Sequence, residues 1–489
     1  AGITAVTCLK NPSAAVAYDS AAFQAPEGLP PLMAVSDPAL LPQARWKVTQ
    51  QDAASVRFET VLPNGLHLAK TVSLPPSGYL VQVRLEARSG AAAPASLAPE
   101  VLLLGPGEAQ RDRASSAVQQ VAALLERPDG SCVINREHAA TIVKKGAWSP
   151  PKGVPNKDAL PVRWGGLTGS YFAVMARVAE GRFAAMQARA YWKDPAAVRD
   201  DDKRDAGKDP AGAVLTMAPW SLAPGETRSA TLLCYVGPKK ADVLKAADAA
   251  LPDILEWGFL GLGRPLMAVL DLAHRLSGNY GVAIILLTLV VRLAIHPLSR
   301  MGQISMMTTA HKMKRLQPRL DEIKKRHKGN AKKLMGEQTQ VMREEGMTPF
   351  SPMMGCLPML LQMPILFALY GILQGAVELR GSPFLGWIRD LARPDTVLSG
   401  IPFIGVLNPL PLALIGVTVY QMWKAPKPAD PQMAQQQKMM MFIMPVMFGF
   451  MFYSLPSGIT LYWFTSTVFS IGEQAWIRRL LKARGVLPA

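Results

Sequence analysis

Five apolar segments in the second half of the chain constrain its fold more than any other feature. They cover about 281–298, 350–377, 401–423, 439–455 and 459–477. Each is near the ~20 residues that a helix needs to cross about 30 Å of hydrocarbon. Internal prolines such as Pro364 and Pro445 are tolerated where neighbouring helices satisfy the freed carbonyl groups. The sequence therefore predicts a bundle of five membrane spans, the last two joined tightly at Pro456-Ser457-Gly458.

Residues 1–255 contain no apolar run of spanning length and predict a separate soluble domain. The clearest part is 56–87, where apolar residues alternate with polar ones in three runs and Asn64-Gly65 supplies a hairpin turn. Three such strands form an antiparallel meander with one buried face, which is typical of a β-sandwich. The Asp-rich stretch 200–209 is expected to be a surface loop.

Residues 256–279 link the two parts. Apolar residues recur there at helical spacing, and charged ones such as Arg264, Asp271 and Arg275 interrupt any continuous apolar run. This pattern predicts an amphipathic helix lying at the membrane interface. A helix packed on the soluble domain is the alternative.

The distribution of charge gives the orientation. The net charge is +17, and the loop 301–349 holds eleven Lys or Arg against five Asp or Glu. Basic residues also follow the last span, at Arg478, Arg479, Lys482 and Arg484. Both regions are expected in the cytoplasm because cytoplasmic loops carry excess Lys and Arg. Five spans then put the first domain outside, and we expect an upstream N-terminal span to precede it.

The basic loop 301–349 predicts a helical hairpin. Ile304, Met307, Leu316 and Leu320 mark one face of a helix over 303–328. Gly329-Asn330 ends it, and a second helix follows over 331–345. The basic residues could dock anionic lipid headgroups, ribosomal RNA or a receptor. Alternatively, they only set the membrane topology.

Arg292 is the most informative single residue, because it lies well inside the first span. A charge at that depth costs from about 3 to more than 10 kcal/mol when it faces lipid, so it normally faces a bundle interior or a wet cavity. The alternative is that its long stem reaches the cytoplasmic headgroups. Other spans offer polar side chains that could line the same cavity: Thr288, Gln362, Ser466, Thr467, Ser470, Glu473 and Gln474. Glu473 could instead neutralise Arg292.

Several chemistries lack the residues to carry them. The sequence contains no nucleotide-binding P-loop, no zinc-protease motif and no hydrolase nucleophile elbow. Its four cysteines, Cys8, Cys132, Cys234 and Cys356, form no metal-type cluster, and at most one disulfide can form among the first three. We expect no enzymatic activity, no cofactor, no metal and no DNA partner.

Several motifs together carry a family resemblance. The span with Thr288 and Arg292 ends at His296-Pro297-Leu298, and the hairpin contains Leu316-Gln317-Pro318. The run 355–364 reads GCLPMLLQMP, and the final hairpin contains Leu455-Pro456-Ser457-Gly458 followed by Leu461-Tyr462. In this order and spacing they resemble the YidC/Oxa/Alb family of membrane protein insertases. The first half resembles the periplasmic domain of the Gram-negative members more loosely.

The resemblance implies a groove that is open to cytoplasm and lipid and closed to the outside. Its polar lining would be Arg292, Thr288, Gln362, Ser470, Glu473 and Gln474. A hydrophobic slide for the substrate helix would contain Met363, Leu366, Phe448 and Tyr462. The chain departs from the family pattern at Trp463, where a second tyrosine is more usual, and at Glu473, where an amide is expected.

The resemblance also implies the location and the partners. The protein would be a multi-pass protein of the bacterial inner membrane that inserts nascent membrane proteins into the lipid bilayer and helps them to fold. The hairpin and the basic tail would contact the Sec translocon, the ribosome and the signal-recognition receptor. A secondary transporter or channel for a small solute would use the same intramembrane charge. A chaperone that only holds partner spans is a third possibility.

Overall fold

The computed structural model of the chain describes residues 5–7, 15–17, 34–36, 47–62, 64–90, 94–104, 120–138, 141–142, 160–190, 211–258, 261–327, 330–346, 357–401, 405–425 and 431–486. The chain divides into two compact units, Ala1–Leu255 and Glu256–Ala489. The first is rich in β-structure and the second is helical. The predicted Asp-rich loop at 200–209 lies outside the described residues, as do Cys8 and Cys356.

The first unit is built mainly from short strands. In chain order they are β1 (Ala5–Thr7), β2 (Ala15–Ala17), β3 (Ala34–Ser36), β4 (Lys47–Gln51), β5 (Ser55–Val61), β6 (Leu66–Ser73), β7 (Leu80–Ser89), β8 (Ala95–Leu97), β9 (Glu100–Leu104), β10 (Gln120–Glu126), β11 (Cys132–His138), β12 (Val162–Thr168), β13 (Phe172–Val178), β14 (Ala185–Ala190), β15 (Ala211–Thr216), β16 (Trp220–Leu222) and β17 (Thr227–Pro238). Helix α1 (Ala241–Ala247) and a 3-10 turn (Leu251–Ile254) follow them.

Nine of these strands form one antiparallel sheet, in the spatial order β11-β10-β12-β13-β17-β7-β6-β5-β4. A second sheet has the order β14-β15-β9-β3, and the described residues also form two strand pairs, β1-β2 and β16-β8. The predicted meander over 56–87 is confirmed as β5, β6 and β7, with Val56 opposite Val72 and Val72 opposite Val83. Gly65 occupies the turn with φ 79°, a conformation that favours glycine.

The two sheets share one hydrophobic core. In β7 the buried residues Val81, Val83, Leu85 and Ala87 alternate with more exposed ones, because successive side chains of a strand point to opposite faces. They pack with Leu103 and Leu215 from the second sheet. The predicted burial of one face of the meander is therefore confirmed.

Part of the large sheet is buried on its other face as well. Strands β10 and β12 contain nearly continuous runs of buried residues, and α1 and the 3-10 turn cover Leu124, Trp164 and Tyr235. Asp248 ends α1 and forms ion pairs with Arg163 at 3.4 Å and Arg177 at 3.3 Å. The Arg177 guanidinium also lies 5.5 Å from the centre of the Trp164 ring. This cluster fixes the helical segment to the sheet.

Cys132 and Cys234 are both free thiols. Cys234 is fully buried in the shared core, and burial raises the pKa of its thiol to about 12. Burial also raises the pKa of the half-buried Cys132. The two thiols therefore do not pair with each other.

The second unit contains seven helices among its described residues. They are α2 (Gly263–Ser277), α3 (Tyr280–Arg326), α4 (Ala331–Glu344), α5 (Leu357–Gly375), α6 (Pro409–Lys424), α7 (Pro431–Tyr453) and α8 (Ser457–Ala483). A 3-10 turn (Val377–Leu379) and two short strands, β18 (Leu398–Ile401) and β19 (Gly405–Leu407), separate α5 from α6. Only residues 454–456 connect α7 to α8, so the predicted tight hairpin is confirmed.

Helix α3 combines two elements that the sequence pattern presents as separate. The first span and the first hairpin helix are one helix of 47 residues that continues through Pro297 and Pro318. Proline removes a helical hydrogen bond and usually kinks or ends a helix. The side chains of His296 and Ser299, on either side of Pro297, both hydrogen-bond to Glu473 of α8. Helix α8 thereby supports α3 on both sides of this proline.

The predicted helical hairpin forms from the end of α3 and from α4. Leu316 and Leu320 of α3 are buried against Val341 and Met342 of α4. The Asn330 side chain accepts a hydrogen bond from Lys333 N at 3.1 Å and caps the start of α4. Lys312 Nζ donates to Glu345 O at 2.8 Å, and His327 lies 3.0 Å from Glu337, so the two helices run antiparallel.

The predicted start of the third span at 401 is wrong. Residues 398–407 contain the strand pair β18-β19, and the helix begins only at Pro409. Pro402 biases Ile401 away from the helical region, whereas Pro409 suits the first position of a helix because its missing N–H has no partner there anyway. Helix α6 is accordingly 16 residues long.

Helices α2 and α3 meet at a tight corner. Gly278 ends α2 with φ 68°, and the Asn279 side chain accepts hydrogen bonds from Gly281 N at 2.8 Å and Val282 N at 3.2 Å. A Cβ on Gly281 would lie 2.1 Å from the Phe384 ring, so only glycine allows this approach. Leu270 and Ala273 of α2 are buried, while Leu272 and Leu276 are exposed.

Among the described helices, one is long and apolar enough to cross a membrane by length and composition, and it is α3. Two shorter apolar stretches lie in α5 (Met363–Gly375) and α7 (Gln437–Tyr453).

Candidate functional site

Helices α3 and α8 are packed side by side and run parallel. Arg292 meets Ser466 and Ser299 meets Glu473, each pair separated by 174 residues. One or two turns further along both helices, Met307 packs against Ile477 and Leu481. Because this separation is constant along the interface, the polar residues of α3 lie opposite the polar residues of α8.

Arg292 is held inside the helical unit. Its Nε and Nη2 donate to Ser466 Oγ at 2.8 and 2.5 Å. Arg292 lies twelve residues after Tyr280, about 18 Å along the helix, and about 12 Å before Arg300. The side chain therefore binds the neighbouring helix at an intermediate depth instead of extending to the end of its own helix.

Glu473 forms a second polar contact on the same interface. Its carboxylate accepts hydrogen bonds from Ser299 Oγ at 2.9 Å to both oxygens and from Gln303 Nε2 at 3.0 Å. His296 Nδ1 lies 2.7 Å from Oε1, and the Glu473 side chain is only 4% exposed. His296, Ser299 and Gln303 were not expected in the site. Their spacing from Arg292, at steps of four, three and four, places all four on one face of α3.

Glu473 does not pair directly with Arg292 among the described ion pairs. The hydrogen bonds of its carboxylate go to residues one to three turns further along α3. Arg292 and Ser299 are seven residues apart, so the two charges are separated by about 10 Å along the helix. The interface thus contains a cation and, closer to the helix C-termini and level with Arg300, a carboxylate.

The remaining polar residues expected in the groove have different surroundings. Thr288 is fully buried and donates to Ile284 O of its own helix at 2.7 Å, so its hydroxyl is used within the bundle. Ser470 is buried between Ser466 and Glu473 on α8, and Gln474 is half-buried. The side chain of Gln362 lies outside the described residues.

The residues expected along a slide are divided between surface and core. Met363 and Leu366 of α5 are half-buried. Phe448 lies in an aromatic cluster with Phe452 and Trp463, with ring centres 5.6 to 6.0 Å apart. Tyr462 is only 1% exposed, and Trp463, the next residue, packs against Phe448.

The N-terminal end of α8 is closed by the loop between α5 and α6. Ser457 N donates to Arg393 O at 2.7 Å and Gly458 N donates to Leu391 O at 2.9 Å. Residues 457–462 are all buried. In the same loop, Asp395 accepts hydrogen bonds from Leu410 N at 2.6 Å and Trp387 Nε1 at 2.9 Å. These contacts seal this end of the helices.

The opposite end carries a belt of aromatic and basic residues. Arg300 lies 5.4 Å from the centre of the Trp476 ring, and Lys424 lies 4.6 Å from that of Trp423. Arg478 of α8 donates to Lys424 O at 2.6 Å and thereby caps the C-terminus of α6. Trp423 and Trp476 are exposed, as is typical of residues at a membrane–water interface.

The outer face of strands β4 to β7 in the first unit contains an open pocket with a volume of about 960 Å³. The acidic residues of this pocket form ion pairs with a basic residue of the same pocket, because Arg57 lies 2.7 Å from Glu59 and 3.0 Å from Glu86. No group of three metal-binding side chains occurs among the residues that the structure describes. The α3–α8 interface is therefore the stronger candidate site.

Comparisons with known proteins identify the family of the chain. A family model described as "60Kd inner membrane protein" matches residues 272–484, and one described as "YidC periplasmic domain" matches residues 34–269. A membrane protein insertase YidC from Cupriavidus metallidurans is 31% identical over 443 residues, which cover 90% of this chain and 71% of that protein. The chain belongs to the YidC family of membrane protein insertases.

Other members of the YidC family match over shorter regions. The protein from Syntrophobacter fumaroxidans is 41% identical over 279 residues, which cover 56% of this chain and 48% of that protein. The protein from Pelobacter propionicus is 33% identical over 325 residues, which cover 65% of this chain and 55% of that protein. The chain thus spans about half the length of these YidC relatives in the matched regions.

Proposed function

We propose that this chain inserts helices of other proteins into a lipid bilayer and helps them to fold, without breaking or making covalent bonds. The observation that carries the proposal is the position of Arg292. Its guanidinium is held by Ser466 on a neighbouring helix, about 18 Å from one end of a membrane-length helix and about 12 Å from the aromatic and basic belt. Such a charge is costly in lipid and normally marks a functional site.

The second unit would cross the membrane five times, through the first part of α3 and through α5, α6, α7 and α8. Helices α5, α7 and α8 have 19, 23 and 27 residues, lengths of about 28, 34 and 40 Å that suit the ~30 Å of hydrocarbon. Helix α6, at about 24 Å, would need local thinning of the bilayer. The parallel packing of α3 and α8 supports this topology, since a first and a fifth crossing run in the same direction.

The charge distribution supports a cytoplasmic location for the helical hairpin and for the end of α8. The protein would then lie in the bacterial inner membrane, with residues 1–255 in the periplasm and α2 at the outer interface. The sealed end of the bundle, at Ser457 and Asp395, would face the periplasm. The end with Arg300, Trp476 and Lys424 would face the cytoplasm.

A substrate helix would enter between α5 and α7. Helix α5 contacts α2, α3 and α8, while α7 packs against α6, so in the described chain these two helices border the open side of the bundle. Large apolar side chains of α7 point outward, with Phe442 at 75% and Phe450 at 87% exposure. With Met363, Leu366 and Phe448 they would form the hydrophobic path.

The polar or acidic external segment of the substrate would be received by Arg292. An Arg–carboxylate contact at 4 Å is worth about 4 kcal/mol at an intermediate dielectric. This is similar in size to the ~3 kcal/mol that a charged residue costs at mid-membrane on insertion scales. Partition of the apolar helix into lipid would then complete insertion without a nucleotide. Ser466, Ser470, Gln474 and Gln362 would supply the rest of the polar lining.

The hairpin and the basic tail would bind partners in the cytoplasm. The sequence has eleven basic residues in 301–349, which suits anionic lipid headgroups, ribosomal RNA or a receptor with an acidic surface. The ribosome, the Sec translocon and the signal-recognition receptor are the partners that this charge and the family favour.

Reconstitution of the purified chain in lipid vesicles tests the proposal. A single-spanning substrate with a short acidic external tail is added, and protection of that tail from external protease measures insertion. We expect insertion by the unmodified chain, a loss of about tenfold or more in Arg292→Ala, and partial activity in Arg292→Lys. Equal activity of all three would contradict the role of the charge.

A further inference from the structure

The Glu473 carboxylate is held by three side chains of the neighbouring helix. Ser299 Oγ and Gln303 Nε2 can both donate to it, and His296 Nδ1 lies in hydrogen-bonding range of the same group. All three side chains lie on α3, so they hold the carboxylate at one place on the interface.

The charge of Glu473 faces few other ionic groups. On α3 the nearest are Arg292, His296 and Arg300, and on α8 the next cation is Arg478. Arg300 stacks on Trp476 and Arg478 caps α6, so both belong to the belt at the helix ends. Glu473 is itself level with this belt, because its partner Ser299 directly precedes Arg300, and Arg292 lies about 10 Å further from the belt along α3.

We propose that Glu473 is a specificity-determining residue: its fixed negative charge offsets that of Arg292, so the groove accepts basic as well as acidic external segments. An acidic segment is attracted by Arg292 and repelled by Glu473, and a basic segment experiences the reverse. Without Glu473 the groove would be cationic and would select acidic segments. This inference rests on the proposed insertase function and extends it to the chemistry of the substrate.

The test compares three substrates that differ only in the external tail, which carries two Asp, two Asn or two Lys residues. Insertion is measured in vesicles with the full chain, and each result is divided by that for the Asn tail in the same preparation. This division removes losses of folding or amount that affect all substrates equally. The unmodified chain is expected to insert the Asp and Lys tails within about threefold of each other.

Two kinds of variant separate charge from shape. Glu473→Gln keeps the size and most hydrogen bonds but removes the charge, and is expected to raise the Asp-to-Lys ratio by about tenfold. Glu473→Ser is a second neutral variant, and either one is sufficient should the other fail to fold. Glu473→Asp keeps the charge and is expected to keep the original ratio even where total insertion falls. Glu126→Gln, a neutralisation on the first unit, is the matched control.

The outcomes are distinct. A ratio that is unchanged in both neutral variants, or that changes as much in Glu473→Asp as in Glu473→Gln, would overturn the specificity role while leaving the insertase function intact. Absence of insertion of every tail by the unmodified chain would overturn the proposed function, and the specificity role with it.

Discussion

Ser466 Oγ accepts hydrogen bonds from both Nε and Nη2 of Arg292, at 2.8 and 2.5 Å. The two residues lie on different helices, so one hydroxyl of α8 fixes the direction of the charge carried by α3. The orientation of the guanidinium therefore depends on a side chain that can be changed without touching Arg292 itself.

Removal of the Ser466 hydroxyl should weaken insertion. We expect Ser466→Ala to lower the insertion rate by about threefold to tenfold, because a hydrogen bond to a charged group is worth about 1.5–3 kcal/mol and water replaces part of it. Ser466→Thr keeps the hydroxyl and should remain close to the unmodified rate. Thr418→Val is a suitable control, since that hydroxyl donates only to Leu414 O in its own helix. Full activity of Ser466→Ala would show that the contact is not needed.

The corner at Gly281 should not tolerate a larger residue. A Cβ there would lie 2.1 Å from the Phe384 ring, so Gly281→Ala should lower the free energy of unfolding by about 1–3 kcal/mol. A Cβ added at Gly472 of α8 would meet no atom within 4 Å, so the matched change Gly472→Ala should be neutral or stabilising by up to ~1 kcal/mol. Thermal unfolding in detergent distinguishes the two. Equal shifts in melting temperature would contradict the steric explanation.

Asp395 should stabilise the sealed end of the bundle. Its carboxylate accepts hydrogen bonds from Leu410 N and Trp387 Nε1, so Asp395→Ala leaves two donors without their partner. We expect a loss of about 1–3 kcal/mol in the free energy of unfolding. The control Asp321→Ala removes a half-buried carboxylate that accepts one hydrogen bond, from Gln317 in its own helix, and should cost only about 0.5 kcal/mol. Similar losses in the two variants would argue against a capping role for Asp395.

Lys70 should make the stability of the first unit depend on pH. Burial lowers the pKa of this ammonium from 10.5 in the unfolded chain to about 8. The unfolded chain therefore binds more protons between these values, and stability should rise as the pH increases from about 8 to about 10.5. Below pH 8 the full penalty applies, of the order of 3 kcal/mol at most.

Lys70→Met tests this directly. The variant should be more stable than the unmodified chain at pH 7, and its stability should lose the rise between about pH 8 and about 10.5. Chemical denaturation at several pH values, followed by a signal from the β-rich unit, provides the measurement. A variant that is less stable at every pH would show that the contacts of the ammonium, including the Phe58 ring 5.2 Å away, outweigh its burial.

The meander and the helical hairpin were predictable because local patterns specify them. Alternation with a period of two marks Val81 to Ala87 as a strand with one buried face. Asn330 caps α4 through its own side chain, so the start of this helix can be predicted from the local sequence. In these elements the nearest neighbours along the chain also determine the structure.

Other features depend on partners far along the chain. The continuity of α3 through Pro297 involves contacts with Glu473, and the burial of Tyr462 depends on helices that pattern reading cannot position. The β18–β19 pair was missed because its apolar residues read as the start of a span, although Pro402 and Pro409 were visible signals. The polar stripe of His296, Ser299 and Gln303 in register with Arg292 was also visible, but its partner on α8 was not.

The parallel packing of α3 and α8 has a consequence for biosynthesis. The Ser466 hydroxyl is synthesised 174 residues after Arg292, so this hydrogen bond cannot form until α8 has been made. Contacts of such long sequence separation form late and slow the search for the native state. Helix α8 therefore completes the packing of α3. A truncation that removes α8 should leave Arg292 of α3 without its hydrogen-bond acceptor Ser466.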